Sequence, residues 1–265
     1  MYDRHTNRER YFNEQVFTTE KFVIPYIQEV FQLSPDHVVA EIGCGEGGNL
    51  KPFLDFGCKV IGIDLSEAKI ANGELFFAEH PKKENLTLVA QDIYEVSPDT
   101  FHRFDLVIMR DTIEHIHDQD KFMEYLKQFL NPGGKVFLAF PPWRMPFGGH
   151  QQICRSKFLS KLPYFHILPN FMYRGLFKLF GESQGTIDNL MEVKETGLSI
   201  ARFRKIVRKR GYQFDKETLY FINPNYEVKF KLKTRKLWLV FDIPFIRDFF
   251  TTTHYSVISV KNENY

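Results

Sequence analysis

The chain has 265 residues, 43% apolar and 26% charged, and its 35 Lys and Arg against 33 Asp and Glu leave a net +2. The balance excludes a disordered chain, which needs low hydrophobicity and high net charge, and the length allows one large or two small domains with a real core. Aromatics reach 16%, with 28 Phe and 12 Tyr, which implies a large core, an apolar pocket or a surface meant to be covered.

Met1 to Arg10 is polar and charged, without the apolar region of a signal peptide. No apolar run approaches the ~20 residues of a membrane span. Cys44, Cys58 and Cys154 have no metal-ligand spacing. Free thiols suit a reducing compartment, so a cytoplasmic location is expected.

His37–Ile42 reads as a buried strand. Leu50, Phe53 and Leu54 then recur at helical spacing up to a stop at Gly57. Lys59–Asp64 is a second strand, and Ser66 caps a helix on which Ala71, Leu75 and Ala78 share a face. Leu86–Gln91 and Phe104–Met109 are strands three and four. Phe122, Tyr125, Leu126 and Phe129 form a helical stripe behind Asp118, a further cap. Asn131-Pro132-Gly133-Gly134 then turns into a fifth strand, Lys135–Phe140. This alternation predicts an α/β fold with a parallel sheet, whose ligands bind beyond the carboxyl ends of the strands. The Pro-rich, aromatic stretch 141–197 is too long for a plain loop and is expected to carry helices. Ser199–Arg210 is a capped helix stopped by Gly211. Tyr212–Ile222 and Tyr255–Lys261 are two final strands, separated by a basic, aromatic insert.

The strongest local signal is Glu41-Ile42-Gly43-Cys44-Gly45-Glu46-Gly47-Gly48, between a strand and a helix. Glycines let the backbone approach a ligand, and the following helix start offers free N–H groups. Read through Gly48 the loop matches the dinucleotide fingerprint, weak by itself. Glu41 sits where it can orient the loop or reach a cationic ligand. Asp64 ends the next strand, where it can accept from two ribose hydroxyls, and Asp92 follows the third, where it can accept from an adenine amino group. Cys44 reads as a small apolar filler beneath the loop.

Together with F-D-L-V-I-M-R-D-T-I-E-H-I at 104–116 and N-P-G-G-K-V-F-L-A-F at 131–140, these motifs resemble the class I S-adenosylmethionine-dependent methyltransferases. The likeness is greatest to small-molecule enzymes such as those of quinone biosynthesis. The resemblance implies a Rossmann-like doubly wound sheet of seven strands, mostly parallel with the last antiparallel. S-adenosyl-L-methionine is the implied cofactor and S-adenosyl-L-homocysteine the product. It also implies that Gly43, Gly45 and Gly47 lie against the methionine and ribose, Asp64 holds the ribose, Leu65 touches adenine, Asp92 meets the adenine amino group with Ile93 stacking nearby, and the Arg110 backbone meets the cofactor's amino group. Tyr11 would come from an N-terminal segment that closes over the cofactor; a packed surface aromatic is the alternative.

A hydroxyl acceptor needs a proton acceptor. His150, after the fifth strand in F-P-P-W-R-M-P-F-G-G-H, is the first candidate, with Gly148-Gly149 expected to bring the chain close to a ligand; His115 is the second. His115, His117 and Asp118 match no closed metal site, and no metal is expected. The organisation expected is an N-terminal helical segment over 1–36, a cofactor core over 37–140, an inserted lid and acceptor region over 141–198 with an apolar pocket wall, and a C-terminal helix and closing strands over 199–265.

Residues 201–236 hold twelve Lys and Arg against three acids, a local +9 that the net charge hides. The excess suits an anionic or lipid-linked small-molecule acceptor or a peripheral membrane contact; no nucleic acid is expected, since no binding module accompanies it. The stretch 198–233 also resembles methyltransferases associated with surface-polysaccharide biosynthesis. The expected activity is methyl transfer to a hydroxyl of a glycan or lipid-linked metabolite. The alternatives are an RNA or protein methyltransferase, or a non-catalytic S-adenosylmethionine-binding protein.

Overall fold

The computed structural model describes residues 7–97, 100, 101 and 103–261; Met1–Thr6 of the expected N-terminal segment and the last four residues of the expected C-terminal one lie outside it. The strands are β1 (Val38–Ile42), β2 (Lys59–Asp64), β3 (Leu86–Ala90), β4 (Phe104–Arg110), β5 (Leu130–Phe140), β6 (Tyr212–Ile222), β7 (Arg235–Lys236) and β8 (Thr253–Val260). They form one sheet in the order β3-β2-β1-β4-β5-β8-β6-β7. β1 to β5 pair in parallel, and β8 runs antiparallel between β5 and β6. The sheet is thus the expected one with an eighth, two-residue strand added at its edge. The strand order reverses between β1 and β4, which puts the ligand crevice at their carboxyl ends.

Helices α1 (Arg8–Thr18) and α2 (Ile24–Gln28) are joined by a π turn. α3 (Lys51–Phe56) stops at Gly57, whose φ of 116° lets its N–H cap the last carbonyls. α4 (Glu67–Phe76) and α5 (Gln119–Leu126) are capped by Ser66 and Asp118 as expected. The face of α4 is not the expected one. Leu75 is 72% exposed, whereas Ile70 and Gly73 are buried. Gly73 decides this: a Cβ there would lie 2.8 Å from Leu88 and 2.9 Å from the Glu46 carbonyl, so the helix sits closest to the sheet where it has no side chain. The fifth strand also begins earlier than its turn signal suggests. Leu130 already pairs with Phe104, and Asn131–Gly134 is an irregularity within β5 rather than a turn before it.

Apolar residues of β1, β4 and β5 feed two cores, one on each face of the sheet. The segment 141–198 contains α6 (Asn170–Leu179) and α7 (Gln184–Thr196), preceded by three short 3-10 turns. Its aromatics build a third core, with Phe165, Tyr173 and Phe177 packed against Leu190 and Met191. Those three rings therefore hold the insert together instead of walling a pocket. Beyond it lie α8 (Ile200–Lys209), α9 (Asn225–Phe230) and α10 (Arg247–Phe250). Four of the twelve basic residues of 201–236 pair with acids: Arg204 grips Glu217 with two bonds of 2.7 and 2.9 Å, Lys209 and Arg210 pair with Asp120, and Lys216 with Glu29.

A separate core in the insert has a measurable consequence. Phe177→Ala should cost about 3–5 kcal/mol locally. Hydrogen exchange should then show lost protection across α6 and α7 while the β1–β5 amides keep theirs.

Candidate active site at the carboxyl ends of the strands

The glycine loop leaves β1 and is tied at once to β2: the N–H groups of Gly43 and Cys44 donate to the Ile63 carbonyl at 2.8 and 3.2 Å. Gly43 has a φ of 76°, and a Cβ there would lie 2.6 Å from Thr112, so the turn after β4 presses directly on the loop. Gly45, at φ 58°, is different. A Cβ would meet nothing closer than Lys69 at 3.9 Å, so the loop is open on this side. The N–H of Gly45 donates to Asp64 Oδ2 at 2.8 Å, and that of Ser66 to Oδ1 at 2.9 Å. These bonds orient the Asp64 carboxylate at the tip of β2 and leave further lone pairs for a ligand. Cys44 is fully buried beneath the loop.

Leu65 stands 74% exposed beside Asp64, and Ile93, in the short turn after β3, is buried. Asp92 Oδ1 accepts from the Tyr94 N–H at 2.9 Å, which holds its side chain at the start of a short turn. Over the loop lies α1. A Cβ on Gly48 would strike the Phe12 carbonyl and Gln15, each at 2.7 Å, and Arg8 pairs with the buried Glu46. Tyr11, on this helix, has the Arg8 guanidinium 5.5 Å from its ring centre.

Beneath the loop is a buried polar network. Asn49 Nδ2 donates to Glu41 Oε1 at 2.6 Å, while its Oδ1 accepts from Arg110 Nη1 at 2.7 Å and Thr19 Oγ1 at 2.9 Å. Arginine only donates, so the amide orientation follows from its partners. Burial pushes Glu41 up to about 8, against the opposing pull of Asn49 and Arg110. Asn49 and Thr112 were not legible as site residues. Asn49 looks like an ordinary helix-start residue until three distant partners converge on it.

At the same edge of the sheet the turn Ile113–His115 after β4 meets His150 after β5. The two rings meet edge to face at 4.9 Å between centroids. Burial pushes His150 down to about 3 and lowers His115 in the same way. Glu114 is 4% exposed, and burial, aided by the nearby Asp111 charge, raises its carboxyl well above the usual range. Gly148 and Gly149 do not serve approach to a ligand as expected. Added Cβ atoms would lie 2.2 Å from the Trp143 carbonyl and 2.3 Å from His166, so both glycines serve packing inside the insert. His117 turns away to Glu192 and Asp118 caps its helix.

Glu41 links the site to pH. The native state holds its proton to about pH 8, whereas the unfolded chain releases it near 4.5. Stability therefore falls as pH rises through that window. In calorimetry without cofactor, the wild type should lose roughly 5 °C in Tm relative to Glu41→Gln between pH 5 and pH 8.

Comparison with known proteins agrees with this geometry. A family model described as a methyltransferase domain matches residues 12–162, more than half of the chain. Phosphoethanolamine N-methyltransferase 1 of Zea mays is 34% identical over 125 residues, covering 46% of this chain and 23% of that protein. The ubiquinone biosynthesis O-methyltransferase of Nitrobacter winogradskyi is 33% identical over 96 residues, covering 36% and 35%. The matched stretch thus spans well under half the length of these relatives. Among solved structures, a methyltransferase in complex with the Haloferax volcanii activator Trm112 aligns over 100% of this chain and 97% of its own, with a TM-score of 0.58 and 14% identity, a likeness of fold. With the glycine loop, the acid at the end of β2 and the sheet order in place, the chain belongs to the methyltransferase-domain family.

Proposed function

We propose that this methyltransferase acts on a hydroxyl of a small glycan or lipid-linked molecule. The cofactor half of this reading is carried by the Asp64 carboxylate, oriented by Gly45 and Ser66 beside an open glycine loop. When bound, S-adenosylmethionine supplies a methyl group already activated on sulfur, so the protein chiefly orients and excludes water. Asp64 would accept from the ribose hydroxyls, Leu65 and Ile93 would flank the adenine, and the second oxygen of Asp92 would accept from its amino group. The Gly43 to Gly47 backbone would follow the methionine, and the Arg110 backbone would receive its amino group. Glu41, through Asn49, holds the loop in shape, and α1 with Tyr11 closes over it.

His115 and His150 hold the acceptor oxygen, where alignment near about 3–3.5 Å from the methyl group supplies much of the acceleration. Both imidazoles are uncharged at neutral pH, and a group with a pKa of about 3 is a weak proton acceptor. Positioning, rather than deprotonation by His150 alone, is the role that suits it. The relatives' names include both an O- and an N-methyltransferase. What favours oxygen is that no N-P-P-Y motif follows β4.

The preference for a lipid-linked or anionic acceptor is supported by the surface around β7. Trp238, Leu239, Val240 and Phe245 are exposed, with Leu239 at 89%, next to Lys231, Lys233, Arg235 and Lys236. No helix among the described residues is long and apolar enough to cross a membrane. Peripheral contact through this patch is therefore part of the reading.

Calorimetry should show S-adenosylhomocysteine binding to the wild type, with Asp64→Ala weaker by about 10–100-fold; a wild type that does not bind overturns the cofactor site. Labelled methyl should appear in lipid-linked glycan fractions, and label in RNA or protein would sink the acceptor class. At low salt the protein should sediment with anionic liposomes, and a Trp238→Ser, Leu239→Ser double variant should not; no sedimentation of the wild type removes the membrane contact.

A further inference from the structure

His150 has a left-handed backbone, with φ 56° and ψ 20°, and its N–H donates to the Phe147 carbonyl at 3.0 Å. A residue with a Cβ keeps that conformation where its surroundings over-determine it. The residue that follows does much of this. Gln151 is fully buried. Its Nε2 donates to the Pro146 carbonyl at 3.0 Å and to the Leu162 carbonyl at 3.1 Å, so both amide protons are spent. The bond to Pro146 closes a ring of chain that contains Phe147, Gly148, Gly149 and His150. The bond to Leu162 ties that ring to the segment ahead of Phe165. Two further bonds support the same loop. The Tyr164 N–H donates to the Pro146 carbonyl at 2.8 Å, and the buried His166 donates from Nε2 to the Trp143 carbonyl at 2.8 Å.

We propose that Gln151 is a positioning residue for methyl transfer: its side-chain amide fixes the left-handed turn that sets the His150 imidazole against His115. The inference rests on the reading that His150 holds the acceptor oxygen. Tyr164 and His166 each secure one carbonyl, four and seven residues before His150, whereas Gln151 joins two segments from the position next to it. Its reach and its donors decide the residue type. Asn is one methylene shorter. Glu would turn acceptor oxygens toward two carbonyls, and Met keeps the shape without a donor, which leaves both carbonyls unanswered.

The two bonds of Gln151 end within the insert, and none of its described bonds reaches the glycine loop. Its loss therefore acts on the acceptor and not on the cofactor. Release of the ring lets the His150 imidazole leave its buried seat, where the titratable groups that face it are His115, His166 and Glu114. A displacement of about 1 Å at a group that aligns the acceptor is enough to cost on the order of 100-fold in rate.

The test is NMR on the full chain with labelled histidine, the His150 signal being identified by its loss in His150→Gln. In the wild type that signal should not titrate between about pH 5 and 8, because burial holds the ring down at about 3. In Gln151→Met it should shift and titrate toward the ordinary histidine range of about 6.5. Glu182→Ala is the control for a merely structural effect. It removes a carboxylate that accepts from the Arg155 and Ser156 N–H groups elsewhere in the insert, and should leave the His150 signal in place. Both variants should keep the wild-type affinity for S-adenosylhomocysteine. Methyl incorporation into lipid-linked glycan fractions should fall about 10–100-fold in Gln151→Met. If that variant misfolds, the wild type decides the matter: the Gln151 side-chain amide protons should exchange slowly. An unmoved His150 signal in Gln151→Met, an equal shift in Glu182→Ala, or fast exchange of the Gln151 amide in the wild type overturns the proposal. A moved signal with undiminished methyl transfer overturns the acceptor reading and leaves the link from Gln151 to His150 standing.

Discussion

The buried amide of Asn49 is where the functional end of the molecule is held together. It joins Glu41 of β1, Arg110 of β4 and Thr19 of the π turn after α1 through three bonds of 2.6 to 2.9 Å. Each partner is buried, and hydrogen bonds involving charged groups are worth about 1.5–3 kcal/mol, so loss of any one leaves the others unsatisfied. The glycine loop lies directly over this network. Its shape, the position of α1 and the end of β4 are consequently one coupled arrangement rather than three independent ones.

The same logic separates the two sides of the site. On the glycine-loop side each carboxylate has at least one partner, Asp64 two backbone N–H groups, Asp92 Tyr94, Glu41 Asn49 and Glu46 Arg8, although one oxygen each of Glu41 and Glu46 is left without one. That side is preorganised, as orientation chemistry requires. On the acceptor side Glu114 is unanswered and two rings crowd against each other. Unsatisfied buried groups are expensive and persist where surrounding structure fixes them and a ligand uses them.

The aromatic excess divides in a similar way. Phe165, Tyr173 and Phe177 close a private core that lets the insert stand as a packed layer, and Tyr26, Phe137 and Tyr255 stack edge to face across the sheet. Others, such as Phe158, Phe171, Trp238 and Phe245, remain exposed at the periphery. At α8 and its C-terminal cap Arg204 pairs with Glu217 and Lys209 and Arg210 with Asp120, whereas the basic residues near β7 have no such described ion pairs. Charge and exposed apolar surface therefore coincide around 231–246.

What the amino-acid order determined by itself is whatever depends on near neighbours. The strand-loop-helix of the glycine motif, Asp64 at a strand end, and the caps at Ser66, Asp118 and Ser199 all follow from local periodicity and turn chemistry. The membership in a methyltransferase family rests on those same local motifs. Tertiary structure decided the rest, because the relevant contacts span long stretches of chain. Gly73 carries no apolar signal yet sets the buried face of α4, and Leu130 enters β5 early because Phe104 pairs with it. Asn49 acquires its role only when Thr19 and Arg110 fold onto it. His150 meets Glu114 and His115 only because β4 and β5 lie side by side and end at the same edge, a convergence that no spacing along the chain encodes.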